Sequence, residues 1–528
     1  MALTALVSSS ICTSLAHAQA GGSAATPAHE AVHDPPHEAA HDPAREDAED
    51  EAAGSAAHRL VAPADPRARV VWLNARITAA FAAEPRLAAA RATVSIVDLA
   101  TGAELVSRDA DRAMSLASTA KLLTSAAALS VLGGGYRWRT AVYGAEPDAN
   151  GMVAGDLTVR GRGDPLLSPA DLDALAADVA ARGVRSVDRL VIDAGYFDDA
   201  VDPPHYADQP GETAYFRAPV ASFGVARSAV GVVVVADPGG AASAALDPPA
   251  GDYLKLINKA VSVTRGHTRL VVEVKPRPDH VELTVSGQIR WGEGSWDVRK
   301  RVADPARFAG EVFRRALLAH GVKIKVRGLG YAAVPPAARL LAAHDSPPLT
   351  EVLRTMNKLS DNYLAESVLK TLGAETRHTP GPATWADGRA AMHAYLASIG
   401  MPETGYRADN GSGLFDATEV SARQLTTLLR AAYSDFRVGP DLIASLPVGG
   451  IDGTLARRWH GRAASGRVRA KTGTLDKVTT LAGYFAIDGR HPLGFAILVN
   501  DIPPGQRASA RTAADDIIDA LAAYLASP

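Results

Sequence analysis

Hydrophobic and polar positions change rhythm along the chain, and each rhythm predicts an element. Ala92–Val97 (ATVSIV) alternates and is rich in β-branched residues. Asp98–Gly102 carries turn residues and Ala103–Ser107 resumes the strand pattern, so the three read as a hairpin. The following Leu122–Leu132 (LLTSAAALSVL) is apolar almost all round, which predicts a buried central helix. Near the end, Arg467–Leu475 (RVRAKTGTL), Thr480–Ile487 (TLAGYFAI) and, after a turn at Asp488–Pro492, Leu493–Asn500 (LGFAILVN) read as an antiparallel meander. An amphipathic helix over Arg507–Ala526 closes the chain. In between, residues 137–340 alternate short β-like runs with turns: Asp156–Arg160, Arg189–Asp193, Val230–Ala236, Leu270–Val274 and Val281–Val285. Helical stretches interrupt them at Asp171–Ala181 and Pro305–Ala319.

The first sixty residues follow none of these rhythms. Residues 1–20 are uncharged and mildly apolar, and Ala16-His17-Ala18 fits the small-x-small cleavage site of a secretory signal. Residues 21–58 consist of Ala, Pro, Asp, Glu and His with almost no large apolar side chain. Too little surface can be buried there to offset chain entropy, so a disordered tail is expected. No later run approaches the ~18 consecutive apolar residues of a membrane span. The expectation is an exported, extracytoplasmic and periplasmic protein, soluble or loosely membrane-associated, with no integral span.

Composition sharpens this picture. The single Cys, Cys12, lies inside the signal-like segment, which excludes a disulfide framework, a thiolate zinc site and an iron–sulfur cluster. With 55 Lys+Arg against 58 Asp+Glu the chain carries −3, without the basic excess of a nucleic-acid binder. That total hides an asymmetry. Residues 21–53 hold nine acids and one base, so the chain from Gly54 onward carries +5. The tail also holds two H-E-x-x-H copies, His29-Glu30…His33 and His37-Glu38…His41. A catalytic zinc needs a rigid helix, a third ligand and a dry wall. Pro35 and Pro36 break any helix here, so the copies are read as tail, and no metal or other cofactor is expected.

Three short motifs carry the chemistry. Ser118 and Lys121 form S-x-x-K, a spacing that puts both side chains on one helix face, with the serine in the favourable field of a helix N-terminus. A second S-x-x-K, Ser367 and Lys370, is expected to be an accidental surface pair on a helix ended by Thr371-Leu372-Gly373. Ser360-Asp361-Asn362 falls in a helix-like segment begun by Ser346-Pro347-Pro348, a capping serine with an N1-type proline. Lys471-Thr472-Gly473-Thr474 lies in the first strand of the meander. Each motif alone fits ordinary structure: a polar pair, an Asn on a helix, a strand edge.

In this order, S-x-x-K, S-x-N and K-T-G are the signature of penicillin-binding proteins and serine β-lactamases. The sequence resembles that superfamily, and within it the DacB-type D-alanyl-D-alanine carboxypeptidase/endopeptidases, the class C penicillin-binding proteins. Gly155-Asp156-Leu157…Gly163-Asp164-Pro165, Ala218-Pro219-Val220, Asp409–Leu414 (DNGSGL) and Leu446–Leu455 (LPVGGIDGTL) add to the likeness, which covers roughly residues 65–525. The resemblance implies an α+β, multi-domain chain. A transpeptidase-like domain with a central antiparallel sheet flanked by helices would comprise 59–136 plus 341–528. One or two mostly-β subdomains would occupy 137–340, since Ser118 and Ser360 stand 242 residues apart. The Arg217–Arg227 stretch departs from the family, with Phe223 where a leucine is usual, and no catalytic residue is assigned there.

It also implies roles. Ser118 would be the nucleophile and Lys121 its base, which requires a neutral amine; a free lysine at pH 7 is neutral about once in a few thousand. Burial and the nearby cation Lys471 would both favour that form. Ser360 would relay a proton to the departing amine, and Asn362 would hold the substrate amide and Lys121. Lys471 would attract the substrate's terminal carboxylate, with Thr472 and Thr474 as hydroxyl donors and Gly473 leaving room for substrate backbone beside the strand. The family's oxyanion hole uses main-chain N–H groups at the positions of Ser118 and Thr474. The implied partners are peptidoglycan stem peptides and, as covalent inhibitors, β-lactam antibiotics. Two readings compete: a serine β-lactamase, for which no Glu-x-x-Leu-Asn deacylation motif is found, and a non-catalytic β-lactam-sensing or wall-binding module. An esterase on the same fold is a further option, disfavoured by the anion-binding Lys471-Thr472 pair.

Overall fold

The computed structural model describes residues 60–208 and 213–527. The signal-like segment, the acidic tail, Cys12 and both H-E-x-x-H copies lie outside the described residues.

The first long helix, α1 (Pro66–Ala82), is capped by Asp65, whose carboxylate accepts from the Ala68 N–H at 2.7 Å. The predicted hairpin follows as β1 (Arg91–Asp98) and β2 (Glu104–Arg108), and the apolar run as α2 (Lys121–Leu132). Further along come α3 (Leu349–Leu359), α4 (Asn362–Thr376), α5 (Ala422–Ser434), the meander β3 (Val468–Leu475), β4 (Val478–Phe485) and β5 (Leu493–Asn500), and α6 (Arg507–Ala526). The strands form one antiparallel sheet in the order β3-β4-β5-β1-β2, so the two ends of the sequence meet along β5 and β1.

Alternation along these strands feeds two separate cores. Ile96, Leu481, Phe495 and Ile497 pack with Leu73 and Ile77 of α1 and Ile517 and Leu521 of α6. Their neighbours Val97, Ala482, Ala496 and Leu498 face the opposite side, with Leu425 and Leu428 of α5. Because helices cover both faces, β4 and β5 are buried at every position, and their sequences lack polar alternation.

The chain leaves this region through Arg139–Gly144 and returns through Arg339–Asp345. These are antiparallel neighbours in a five-stranded mixed sheet, tied at one end by Arg139 and Asp345 at 2.7 Å. Its remaining strands, Leu157–Arg160, Leu190–Asp193 and Gly330–Tyr331, run parallel to one another beside helices Pro169–Ala181 and Pro305–Ala319. The segment also holds a two-stranded parallel pair, Ser186–Val187 with Lys323–Ile324, and two three-stranded sheets. Ser295–Arg301, Ala229–Ala236 and Ala242–Asp247 form one, and Leu254–Val263, Val281–Arg290 and Arg269–Pro276 the other. Ala242–Asp247, Leu254–Val263 and Ser295–Arg301 carry little sequence signal, because half-exposed strands such as LKLINKAVSV and SWDVRKR mix charge into both faces.

Three expectations around the second motif are corrected. The helix expected to run through Ser360–Asn362 is broken there: α3 stops at Leu359, Ser360 turns left-handed with φ 58°, and Asp361 caps α4 by accepting from the Leu364 N–H at 3.0 Å. Ser346 does not cap α3; its hydroxyl donates to the Pro347 carbonyl at 2.7 Å and accepts from the Trp138 N–H at 3.0 Å. The helix α4 also continues past Gly373 to Thr376. That glycine serves packing rather than termination, since a Cβ on it would lie 2.5 Å from the Gly388 nitrogen.

The Ser367–Lys370 pair is not on the surface: both residues are buried. Lys370 pairs with Asp198 at 2.6 Å, donates to the Ala200 carbonyl at 2.8 Å and stands 4.6 Å over the Trp385 ring. It fastens α4 to the segment around Phe197. Breaking such a pair by removing one partner costs about 3 kcal/mol or more. Lys370→Ala should therefore lower the unfolding free energy in urea by about 3 kcal/mol. A change below about 0.5 kcal/mol, the level of an ordinary surface substitution, would contradict this packing role.

Candidate active site

The strand Ala113–Ser115 pairs with Thr418–Ser421 and delivers the chain into a 3₁₀ turn, Ala117–Ala120, that runs straight into α2. Ser118 lies in this turn. The residue before it, Ala117, takes a left-handed φ of 45° while almost fully buried, a conformation that costs energy in a residue with a Cβ. Two glycines pack against this turn. A Cβ on Gly413 would sit 2.0 Å from the Ala117 carbonyl oxygen; one on Gly473 would sit 2.5 Å from the Leu116 oxygen and 3.0 Å from the Ser118 nitrogen. The hydroxyls of Thr480 and Thr119 both donate to the Leu116 carbonyl, at 2.8 and 2.7 Å. Strand β3 and the Asn410–Leu414 loop thus press directly on the turn.

Lys121 is fully buried. Its Nζ lies 2.9 Å from Ser118 Oγ, 2.7 Å from Asn362 Oδ1 and 3.1 Å from the Ser412 carbonyl oxygen. Loss of hydration brings its pKa from the usual lysine range to about 7, while the charges of Glu366 and Asp361 oppose the fall. Near neutrality roughly half of this amine is uncharged, a thousandfold more than in a free lysine. Asn362 also donates through Nδ2 to the Phe216 carbonyl at 3.2 Å.

A second chain of bonds stands beside the first. Lys471, also fully buried, donates to Ser360 Oγ at 2.9 Å and to the Thr472 carbonyl at 2.8 Å. Thr472 donates its hydroxyl to Thr454 Oγ1 at 2.8 Å, and Thr474 follows on β3, nearly buried. The loop bearing Thr454 is fixed to α3 through Lys358, which bonds Asp452 at 2.6 Å and the Leu446 carbonyl at 2.9 Å. The structure therefore brings Ser118, Lys121 and Asn362 into one hydrogen-bonded group and Ser360 and Lys471 into another. Thr472, Gly473 and Thr474 lie on the adjoining strand.

The D-Ala-D-Ala carboxypeptidase 3 (S13) family profile matches residues 73–525. A D-alanyl-D-alanine carboxypeptidase from Actinomadura sp. is 37% identical over 419 residues, 76% of each chain. The chain belongs to this family. It is accordingly a serine-type DD-peptidase, a hydrolase. The D-alanyl-D-alanine carboxypeptidase DacB of Haemophilus influenzae is 26% identical over 397 residues, 74% of this chain and 81% of that one. The fold is shared with the crystal structure of penicillin binding protein 4 (dacB) from Haemophilus influenzae, at a TM-score of 0.68 and 21% identity over 86% of this chain and 98% of that one. The same protein complexed with a β-lactam matches at a TM-score of 0.65 and 22% identity, covering 82% and 95%.

Several residues packed around these motifs in this DD-peptidase do not stand out from the sequence. Glu366 stands four residues after Asn362 on the same helix face and is fully buried. The Ser412 carbonyl, inside the DNGSGL stretch, is a bonding partner of Lys121. Helical spacing from Asn362 could have pointed to Glu366. Arg227 could not have been found that way. It sits among three consecutive left-handed residues, Ala226, Arg227 and Ser228, and pairs with Asp361 at 2.9 Å across 134 residues of sequence. Gly473 yields a direct test of the geometry. Gly473→Ala should lower kcat/KM for a D-Ala-D-Ala peptide by about 10²-fold or more with the protein still folded, because its Cβ displaces the strand from the serine turn. Wild-type kinetics in that variant would contradict the close approach.

Proposed function

We propose that this DD-peptidase hydrolyses peptidoglycan stem peptides beside D-alanine through an acyl intermediate on Ser118. The observation that carries this reading is the 2.9 Å contact between Ser118 Oγ and Lys121 Nζ, at a lysine whose burial brings it to about 7. Neutral Lys121 takes the hydroxyl proton as Ser118 Oγ attacks the carbonyl of the penultimate D-alanine. Main-chain N–H groups of Ser118 and Thr474 receive the developing oxyanion, where losing one donor typically costs ~10²–10³ in rate. The C–N bond then breaks, and the proton passes through Ser360 to the departing amine; water later releases the acyl group and restores Ser118. Asn362 fixes Lys121 and the substrate amide. Lys471, Thr472 and Thr474 receive the terminal carboxylate, and Gly473 leaves space for peptide backbone beside β3.

The same chemistry opens a β-lactam ring, and the relative solved with a β-lactam supports that reading for this chain. No helix among the described residues is long and apolar enough to cross a membrane. An extracytoplasmic, periplasmic location suits a wall substrate, and the +5 balance from Gly54 onward suits carboxylate-bearing peptides through weak steering. Residues 59–136 with 341–528 make the catalytic domain in this reading, and 137–340 the insertion. A hydrophobic cluster drawn wholly from residues 142–342 supports that division.

A fluorescent penicillin should label the purified protein on Ser118, and Ser118→Ala should abolish the label. Lys121→Ala should slow labelling by about 10²-fold or more. Undiminished labelling in Ser118→Ala, or a label mapped to Ser367, would overturn the assignment. Chromatography of muropeptides after digestion then distinguishes loss of terminal D-alanine from cleavage of cross-links.

A further inference from the structure

Linked to Lys121 through Ser412, and acting on it by its charge, is a carboxyl that belongs to none of the three motifs. Glu366 is fully buried, and its two oxygens accept from the backbone N–H groups of Gly411 and Ser412 at 3.0 and 2.8 Å. The carbonyl of the same Ser412 accepts from Lys121 Nζ at 3.1 Å, and that of Gly411 accepts from the Thr124 hydroxyl at 2.8 Å. Lys121 also bonds Asn362, one turn before Glu366 on α4. The connections therefore close into a ring: carboxyl, loop amide, loop carbonyl, lysine, asparagine and helix. The next loop residue, Gly413, is the one pressed against the Ala117 carbonyl. A shift of Ser412 would move both the acceptor that aims Lys121 and the wall behind the nucleophile's turn.

A carboxyl with no access to water is costly unless donors fill its lone pairs. Here both oxygens are filled by backbone N–H groups from consecutive residues. A neutral amide could accept only one of them and would turn its own N–H₂ toward the other.

We infer that Glu366 is a positioning residue for acylation, holding the Ser412 carbonyl against Lys121 and setting a buried negative charge opposite its ammonium. This rests on Lys121 being the base. Every charged or titratable neighbour of that lysine enters the balance. Asp361 and Glu366 face it from the start of α4, and Lys471 stands beyond Ser360 on β3. Asp361 is itself paired with Arg227, and the buried Tyr206 shares a hydrogen bond with Ser412 Oγ at 3.2 Å. Burial raises the Glu366 carboxyl, while the loop donors and Lys121 draw it down. Glu366 in turn keeps Lys121 from falling further. Removing the negative charge should let the neutral amine persist to lower pH.

The test is the acylation rate with a fluorescent penicillin, followed from pH 5 to 9 in wild type, Glu366→Gln, Glu366→Asp and Ser118→Ala, with folding checked by thermal melts. Glu366→Gln should move the acid limb to lower pH by about one unit and reduce the maximal rate about tenfold or more. Glu366→Asp keeps the charge but withdraws it from the loop, so the limb should stay while the rate falls by a similar factor. A folded Glu366→Gln with the wild-type limb overturns the inference, whatever its rate, because a simple structural prop would leave the limb in place. Should the Gln variant not fold, the Asp variant decides: a large loss of rate with the limb unmoved supports the inference, and a wild-type rate overturns it. Labelling that survives in Ser118→Ala would strike at the site assignment itself. Its loss there, with Glu366→Gln behaving as wild type, would strike only at Glu366.

Discussion

An ammonium with no access to water is the constraint around which this site is arranged. Lys121 begins α2 and is fully enclosed, so hydration cannot stabilise its charge. The hydrogen bonds it donates to Ser118 Oγ, Asn362 Oδ1 and the Ser412 carbonyl, and the fields of Glu366 and Asp361, compensate only partly. The outcome is an amine poised near neutrality, where a base for a serine hydroxyl is most effective. Much of the surrounding design keeps water out: helices on both faces of the sheet, and glycines at 413 and 473 that let a loop and a strand approach the serine turn closely.

The segment between residues 137 and 340 contributes to that enclosure. The Phe216 carbonyl fixes Asn362, Tyr206 contacts Ser412, and Arg227 neutralises Asp361 from a strained left-handed turn. Strain of this kind persists only where surrounding structure enforces it, and here it presents a guanidinium to the second motif. Lys370 ties the same motif helix to Asp198 and Ala200. Loops between residues 137 and 340 thus reach the motif residues themselves.

What was legible in the sequence divides along physical lines. The hairpin, the buried helix, the meander and the closing helix were readable because burial imposes a period on local sequence. Ser118, Lys121, Ser360, Asn362 and Lys471 stand out because the proposed chemistry demands those side chains at those spacings, and they lie in two hydrogen-bonded groups, Ser118, Lys121 and Asn362 in one and Ser360 and Lys471 in the other. The break between α3 and α4 was not, because it depends on one left-handed serine and an Asp cap inside a segment whose composition suits a helix. The burial of the Ser367–Lys370 pair is not legible, because the partners of Lys370, Asp198 and Trp385, are not its neighbours in sequence. Arg227 was invisible for the same reason. The strands Ala242–Asp247, Leu254–Val263 and Ser295–Arg301 are not legible because exposed sheet faces impose little pattern.

The proposed acylation turns on the protonation of one buried amine. Titration of the Lys121 side chain by ¹³C NMR, with lysine labelled at Cε and the resonance assigned through Lys121→Arg, measures it. A midpoint near 7, moving when Asp361 or Glu366 is neutralised, is the result expected. A midpoint in the ordinary range of lysine, near 10.4, would contradict the view that burial makes this residue the base.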